Sequence, residues 1–117
     1  MVFSWVNRTD IAEFEQRRPN HDEVLIKVEF SCISPGTELR CLAGKEPNAG
    51  SFPFIPGYAA TGVVIESGSL CGIKPGCRVA CNGTRYAGPL KWSWGGHCEY
   101  AVCSEKEILV IPDNVSF

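Results

Sequence analysis

No apolar run in this sequence approaches the ~18 residues that a membrane-spanning helix needs, so no membrane role is expected. Its basic residues are scattered, with Arg17-Arg18 the densest pair, and the formal charge is −2. A nucleic-acid partner, which calls for a basic stripe or patch, is therefore not expected. Gly-x-Gly-x-x-Gly occurs nowhere, so the turn that cradles a dinucleotide pyrophosphate is missing. Cys-x-x-Cys is missing too, which removes the closely spaced ligand pair of common structural zinc lobes. There are no internal repeats and no low-complexity segments. Met1–Trp5 is soon followed by Asn7, Arg8 and Asp10, which is not the hydrophobic stretch of a signal peptide, and a cytoplasmic location is expected.

What is present fits one soluble domain. A length of 117 residues is a one-domain length, enough to bury roughly two-thirds of the surface exposed by the unfolded chain. The apolar share of 44% and charged share of 21% are ordinary for such a domain. Seven cysteines is a high count. In a secreted chain it would suggest a disulfide framework, but the number is odd. Cys32, Cys81 and Cys103 also sit beside apolar, β-prone residues, where a thiol acts as a small hydrophobe. Free thiols in a reducing compartment are expected. Asn7-Arg8-Thr9, Asn82-Gly83-Thr84 and Asn114-Val115-Ser116 match the glycosylation pattern and are read as chance matches.

Twelve glycines and eight prolines argue against long helices. Glu23–Phe30 reads as a half-buried strand, with Val24, Ile26, Val28 and Phe30 inward and Glu23, Lys27 and Glu29 outward. A turn at His21-Asp22 precedes it. Thr37–Ala43 reads as a short helix, Thr37 as its N-cap and Gly44 as its C-cap. A proline-rich loop, Lys45–Pro56, leads to a second strand, Gly57–Ser67, in which Gly62 signals a bulge or bend. Lys74–Cys77 has Pro and Gly placed for a type II turn. Strands at Arg78–Cys81, Cys98–Cys103 and Ile108–Ile111 follow, with a long irregular loop, Asn82–Gly96, among them. The pattern predicts a mainly β fold, a small barrel or sandwich.

The order of motifs resembles the opening of medium-chain dehydrogenases/reductases, the alcohol dehydrogenase-like superfamily. The residues carrying it are Asp22–Val28, Ser34-Pro35-Gly36-Thr37-Glu38, Ile55–Val64, Lys74–Val79, Gly95–Tyr100 and Ile111–Phe117. The resemblance implies that residues 1–117 form a GroES-like, partly open β-barrel with one or two short helices. In that family this domain covers one side of the active-site cleft, and a Rossmann domain that follows holds NAD(P). That second domain is not in these residues. The chain by itself is thus expected to bind no dinucleotide and to be inactive, as a piece of a longer NAD(P)-dependent oxidoreductase. The alternative is a stand-alone GroES-like binding or assembly module.

Zinc members of the family place Cys two residues before a Thr or Ser, and His then Glu directly after Pro-Gly. Here those positions hold Pro35, Tyr58 and Ala59. Proline and alanine cannot ligate zinc and tyrosine is a poor substitute, so zinc is not expected. Cys77 and Cys81 would face one way on a strand about 13 Å apart, and Cys98 and Cys103 would face opposite ways. A site assembled across strands, for example with His97, is the remaining metal reading. His97 otherwise makes ordinary hydrogen bonds or lies on the surface.

Without zinc, the resemblance points to the quinone-reductase-like and enoyl-reductase-like branches, which pass a hydride from NADPH or NADH to an activated carbonyl. Thr37 is the leading catalytic candidate, able to hold a substrate oxygen or the nicotinamide ribose; its other reading is the helix cap. Tyr58, in the zinc-binding histidine's place, can reach a substrate carbonyl or simply fill the vacated site. Glu38 is expected to support the loop or helix start. Trp92 and Trp94 either line a small-molecule substrate pocket or pack over the barrel.

Overall fold

The computed structural model describes residues 1–47, 51–92 and 94–117. A hairpin of β1 (Val2–Trp5) and β2 (Arg8–Asp10) opens the chain, turning through Asn7 at φ 57°. An irregular segment leads to β3 (Glu23–Ser31), α1 (Pro35–Leu42), β4 (Phe54–Ile55) and β5 (Ala60–Ser67). Then come β6 (Arg78–Cys81), β7 (Lys91–Trp92), β8 (Tyr100–Ser104), a 3-10 turn at Glu105–Glu107 and β9 (Ile108–Val110). Among the described residues the strands form two sheets, ordered β2-β1-β4-β7 and β8-β3-β5-β6-β9. The larger sheet curls. Arg85 N donates to Val102 O at 2.7 Å and Val102 N to Thr84 Oγ1 at 3.0 Å, so the chain just beyond β6 meets edge strand β8. This is the mainly β, partly open barrel expected from the resemblance.

The curled sheet wraps one core: Val24, Ile26, Ala60, Val64, Val79 and Ala101, each at most 2% exposed, joined by Cys71, Cys81 and Cys103. Each fully buried Val or Ile contributes roughly 1.5–3 kcal/mol. A second, smaller cluster joins Phe3, Cys41 and Phe54, with Leu42, Phe52 and Trp94 against it. It sits between α1 and the smaller sheet, and Asn7 N ties the hairpin to the helix end through Leu42 O at 2.7 Å.

The strand β3 departs from simple alternation. Its pairing with β5 shifts between Leu25 and Ile26 and again between Val28 and Phe30. Each shift inserts an extra residue and re-aims the side chains beyond it. Phe30, expected inward, is 63% exposed and packs on Phe117 at the surface. Glu23, expected outward, is buried and held by Arg17 through bonds of 2.7 and 3.1 Å and by Asn20 N at 2.9 Å. The Arg17 guanidinium keeps the Glu23 carboxyl below its ordinary pKa. Gly62 lies opposite Val28, beside the second shift, and a Cβ there would overlap the Lys27 carbonyl, so the expected bend is real. Strand β5 begins at Ala60 because Gly57, at φ 107°, is outside any strand conformation. The Lys74–Cys77 turn forms as expected, Cys77 N reaching Lys74 O at 3.2 Å with Gly76 at φ 92°. The proline-rich loop is only partly visible, since residues 48–50 lie outside the described residues.

Candidate functional site

The helix α1 starts one turn earlier than its sequence suggests. Ser34 is the N-cap and makes no side-chain cap bond; Pro35 takes the first helical position, where its missing N–H costs nothing. The orphan amide of Ser34 instead donates to Glu38 Oε1 at 3.1 Å, so Glu38 supports the helix start. The cap reading of Thr37 is therefore wrong. Thr37 lies inside the helix, and its Oγ1 sits 3.0 Å from the phenol oxygen of Tyr58. At the far end, Gly44 N reaches Cys41 O at 3.0 Å and Lys45 N reaches Arg40 O at 2.8 Å. With Gly44 at φ 69° this is a Schellman stop, so Gly44 lies just past the cap, which is Ala43.

Tyr58 is brought to the helix by two glycine-bearing motifs that close on each other. Gly96 N donates to Gly57 O at 2.9 Å, and His97 N to Pro56 O at 3.0 Å. A Cβ on Gly57 would stand 2.7 Å from His97 N, so glycine is required there by both space and φ. Trp94 then meets the Tyr58 ring edge-to-face, centroids 4.5 Å apart at 64°. Trp94 itself holds the left-handed conformation at φ 62°, which costs a non-glycine residue on the order of 1–3 kcal/mol. Two contacts hold it: Thr84 N donates to Trp94 O at 2.8 Å, and Gly83 packs so closely that a Cβ would overlap that carbonyl. Strained backbone held by its surroundings is characteristic of working sites.

A histidine adjoins this group. His97 is about nine-tenths buried; its Nδ1 lies 2.8 Å from Ser31 Oγ. Its Nε2 lies 3.1 Å from Glu38 Oε1, inside ion-pair range but with no aligned hydrogen bond. Ser31, Glu38 and His97 share the wall of a cavity of about 450 Å³ with Val28 and Ile33. The sequence offers His97 as a cross-strand metal ligand, an ordinary hydrogen-bonding residue or a surface residue, and the structure gives it the bond to Ser31, which the sequence does not single out. The doubled glycine before His97 was the available sign, since it permits close backbone approach.

The two tryptophans answer differently. Trp94 belongs to both the Tyr58 contact and the smaller core. Trp92, in β7 and so not in an irregular loop, is 45% exposed and pairs beside Ile55 of β4. Both line a cavity of about 410 Å³ with Thr84, Arg85, Cys103 and Glu107. The structure thus joins Thr37 to Tyr58 and Tyr58 to Trp94, and joins Trp92 to that group only through this cavity.

Among the described residues no three His, Cys, Asp or Glu side chains converge as metal ligands. All seven thiols are free, and two of them line the cavities just described, Cys98 beside His97 and Cys103 beside Trp92 and Trp94. Cys98 and Cys103 do not face opposite ways: both pack on the main core, because Cys98 precedes β8 and strand parity does not reach it. Burial pushes the Cys98 thiol up to about 12. No helix among the described residues is long and apolar enough to cross a membrane.

Comparison with known proteins adds the family context. The alcohol dehydrogenase GroES-like domain family matches residues 20–113. Over 102 residues the chain is 32% identical to the 2-desacetyl-2-hydroxyethyl bacteriochlorophyllide A dehydrogenase of Cereibacter sphaeroides, covering 81% of this chain and 32% of that protein. It is 31% identical over 121 residues to the chloroplastic NADPH-dependent alkenal/one oxidoreductase of Arabidopsis thaliana, covering 99% of this chain and 31% of that one. The chain therefore spans about a third of the length of these relatives. The fold matches an alcohol dehydrogenase superfamily protein from Novosphingobium aromaticivorans with a TM-score of 0.80 at 23% identity, covering 98% of this chain and 34% of that one. It also matches the Escherichia coli quinone oxidoreductase complexed with NADPH, TM-score 0.70 at 22% identity, over 91% of this chain and 30% of that one.

Proposed function

This chain belongs to the alcohol dehydrogenase GroES-like domain family, and from that premise we propose that it is the substrate-side domain of a zinc-independent, NAD(P)-dependent medium-chain reductase. The carrying observation is the hydroxyl pair of Thr37 and Tyr58, 3.0 Å apart, with Tyr58 at the sequence position that the resemblance assigns to the zinc-binding histidine of metal-dependent relatives. The donor set does not fit zinc. Pro35 and Ala59 have no ligating side-chain atom, and the Tyr58 phenol is engaged by Thr37. No step is routed through a metal.

The pair shares one hydroxyl proton between two oxygens, which leaves the second O–H free to donate outward. A substrate carbonyl oxygen is a suitable acceptor. NAD(P)H, held by a separate nucleotide domain, supplies the hydride when bound. As hydride arrives at the activated carbon, negative charge grows on that oxygen, and a fixed donor stabilises it. One such donor is typically worth about 2.7–4 kcal/mol of barrier. Trp94, locked by Gly83 and Thr84, fixes the Tyr58 ring so that the donor need not reorganise. The cavity beside Trp92 and Trp94 sets two indoles among the polar groups of Asn82, Thr84, Arg85 and Glu107, a lining for a substrate with both an apolar and a polar part. Support for this substrate class comes from the alkenal/one oxidoreductase relative.

The test uses the chain joined to its nucleotide domain, with NADPH oxidation followed on a panel of α,β-unsaturated carbonyls. Tyr58→Phe and Thr37→Ala are expected to lower turnover about 100- to 1000-fold while the melting temperature moves little. Unchanged kinetics in both variants would remove the pair from the chemistry. Tight NADPH binding by residues 1–117 alone would contradict the division of labour.

A further inference from the structure

One residue, His97, holds both the start of α1 and the loop that carries Tyr58. Its backbone takes the loop. His97 N donates to Pro56 O at 3.0 Å, Gly96 N donates to Gly57 O at 2.9 Å, and a Cβ on Gly57 would stand 2.7 Å from His97 N. That spacing leaves the loop little room to slide along His97. The side chain takes the helix. His97 Nε2 lies 3.1 Å from Glu38 Oε1, and the same carboxylate oxygen accepts from Ser34 N at 3.1 Å. Ser34 makes no side-chain cap bond, so Glu38, one residue after Thr37, is what closes the first turn.

The charge on the ring decides how firmly the helix is held. Nδ1 is taken by Ser31 Oγ at 2.8 Å, and a hydroxyl donates or accepts as the ring requires. A carboxylate only accepts. In a neutral ring protonated at Nδ1, the Nε2 lone pair faces the Glu38 carboxylate and the two repel. In the other neutral tautomer Nε2–H donates without a charge. An imidazolium serves Ser31 and Glu38 together and makes the second contact a charge-assisted bond. Nε2 is buried and lacks an aligned partner, a costly state that this bond relieves. The ionisable groups sharing cavity walls with His97 are Glu38 of α1, Glu29 of β3, Glu13 of the segment after β2, the Met1 ammonium, and Cys98, Glu99 and Tyr100 beside it in sequence. The ammonium is turned to the His97 carbonyl, 3.1 Å away, and Glu38 is the carboxylate against the ring.

We propose that His97 is a positioning residue for the Thr37–Tyr58 pair, its imidazolium clasping Glu38 at the helix start while its backbone grips the Tyr58 loop. The kinetic consequence rests on the reading of that pair as the donor to a substrate carbonyl; the structural coupling does not. Histidine changes charge across about pH 5 to 8, so the pair is held firmly at the acid end of that window and loosens as pH rises through it. Misplacing a reacting group by ~1 Å can cost about 100-fold in rate, so a loosened clasp acts on turnover more than on substrate binding.

The experiment follows the full chain by NMR, with 13C at tyrosine Cζ and histidine Cε1, across the same window. Tyr58→Phe and His21→Ala assign the signals. The Tyr58 resonance is expected to move along the His97 titration curve, and most of that movement should vanish in Glu38→Gln, which keeps the Ser34 bond but loses the charge. In the protein joined to its nucleotide domain, kcat for NADPH oxidation should fall as pH rises through the His97 titration while KM changes little. His97→Gln should flatten that profile and retain more turnover than His97→Ala. If the His97 variants do not fold, the wild-type and Glu38→Gln titrations decide alone. A Tyr58 signal that stays still while His97 titrates would overturn the proposal. So would one that moves equally in Glu38→Gln. Unchanged kinetics in Tyr58→Phe would sink the donor reading and leave the resonance coupling standing, so the two failures are distinct.

Discussion

The two clusters of this domain are built on different principles. The curled-sheet core takes Val24, Ile26, Ala60, Val64, Val79 and Ala101 from neighbouring ladders, where hydrogen-bonded register dictates who meets whom. The smaller cluster takes Phe3 and Phe54 from two short paired strands, Cys41 from the helix, and Phe52 and Trp94 from loops. Its contacts are aromatic: Phe3 on Phe54 at 5.6 Å, Phe52 on Phe54 at 5.2 Å and Trp94 on Tyr58 at 4.5 Å. The first cluster is a scaffold; the second sits behind the candidate site. A ladder tolerates a lost methyl group locally, whereas an aromatic cluster built around one ring fails when that ring goes.

The strongest way to break this contrast is Phe54→Ala. Phe54 is fully buried and touches both neighbouring rings, so its loss should cost about 4 kcal/mol. Denaturant unfolding reads the stability and tryptophan fluorescence the displacement of Trp94. A loss under ~1 kcal/mol would show that the cluster repacks as freely as a ladder.

Gly83→Ala probes the site wall rather than its base. The new Cβ meets the Trp94 carbonyl and must sit at φ 100°, so about 2–3 kcal/mol should be lost, with altered Trp94 emission. An intact fluorescence spectrum would show that Trp94 is not held from this side.

The smallest expected effect tests the scaffold through pH. Glu23 is buried on β3 and its folded carboxyl titrates below its ordinary 4.5 because Arg17 bonds it. A depressed folded value contributes stability that is present above about pH 4.5 and lost as pH falls through the folded value. The denaturant midpoint should therefore fall between pH 7 and pH 3. Arg17→Ala should cost about 1–2 kcal/mol at pH 7 and flatten that slope, since Arg17 is 30% exposed and only partly desolvated. An unchanged slope in the variant would place the acid sensitivity elsewhere.

Much of the scaffold is legible in the residues themselves. The β3 strand, the Lys74–Cys77 turn, the Gly62 bend and the Gly44 stop all follow from period-two patterning and glycine or proline chemistry, which are local. The second sheet was not legible, because β4 and β7 are two-residue strands whose pairing depends on partners 37 and 51 positions away. Phe30 left the core face because a bulge shifts parity at no cost visible in sequence, whereas Glu23 lies before both shifts and is buried by its bonds to Arg17 and Asn20.

The candidate site divides in the same way. Sequence by itself determined which groups were on offer: hydroxyls at Thr37 and Tyr58, indoles at Trp92 and Trp94, and no metal-binding side chain at Pro35 or Ala59. Tertiary structure decided what those groups do. It freed Thr37 from capping by starting the helix at Pro35, stood it against Tyr58, and placed His97 between Ser31 and Glu38. The physical reason is range. Conformational preference is set by a residue and its neighbours in sequence, while hydrogen bonds and packing join atoms only ~3–4 Å apart whatever their separation along the chain.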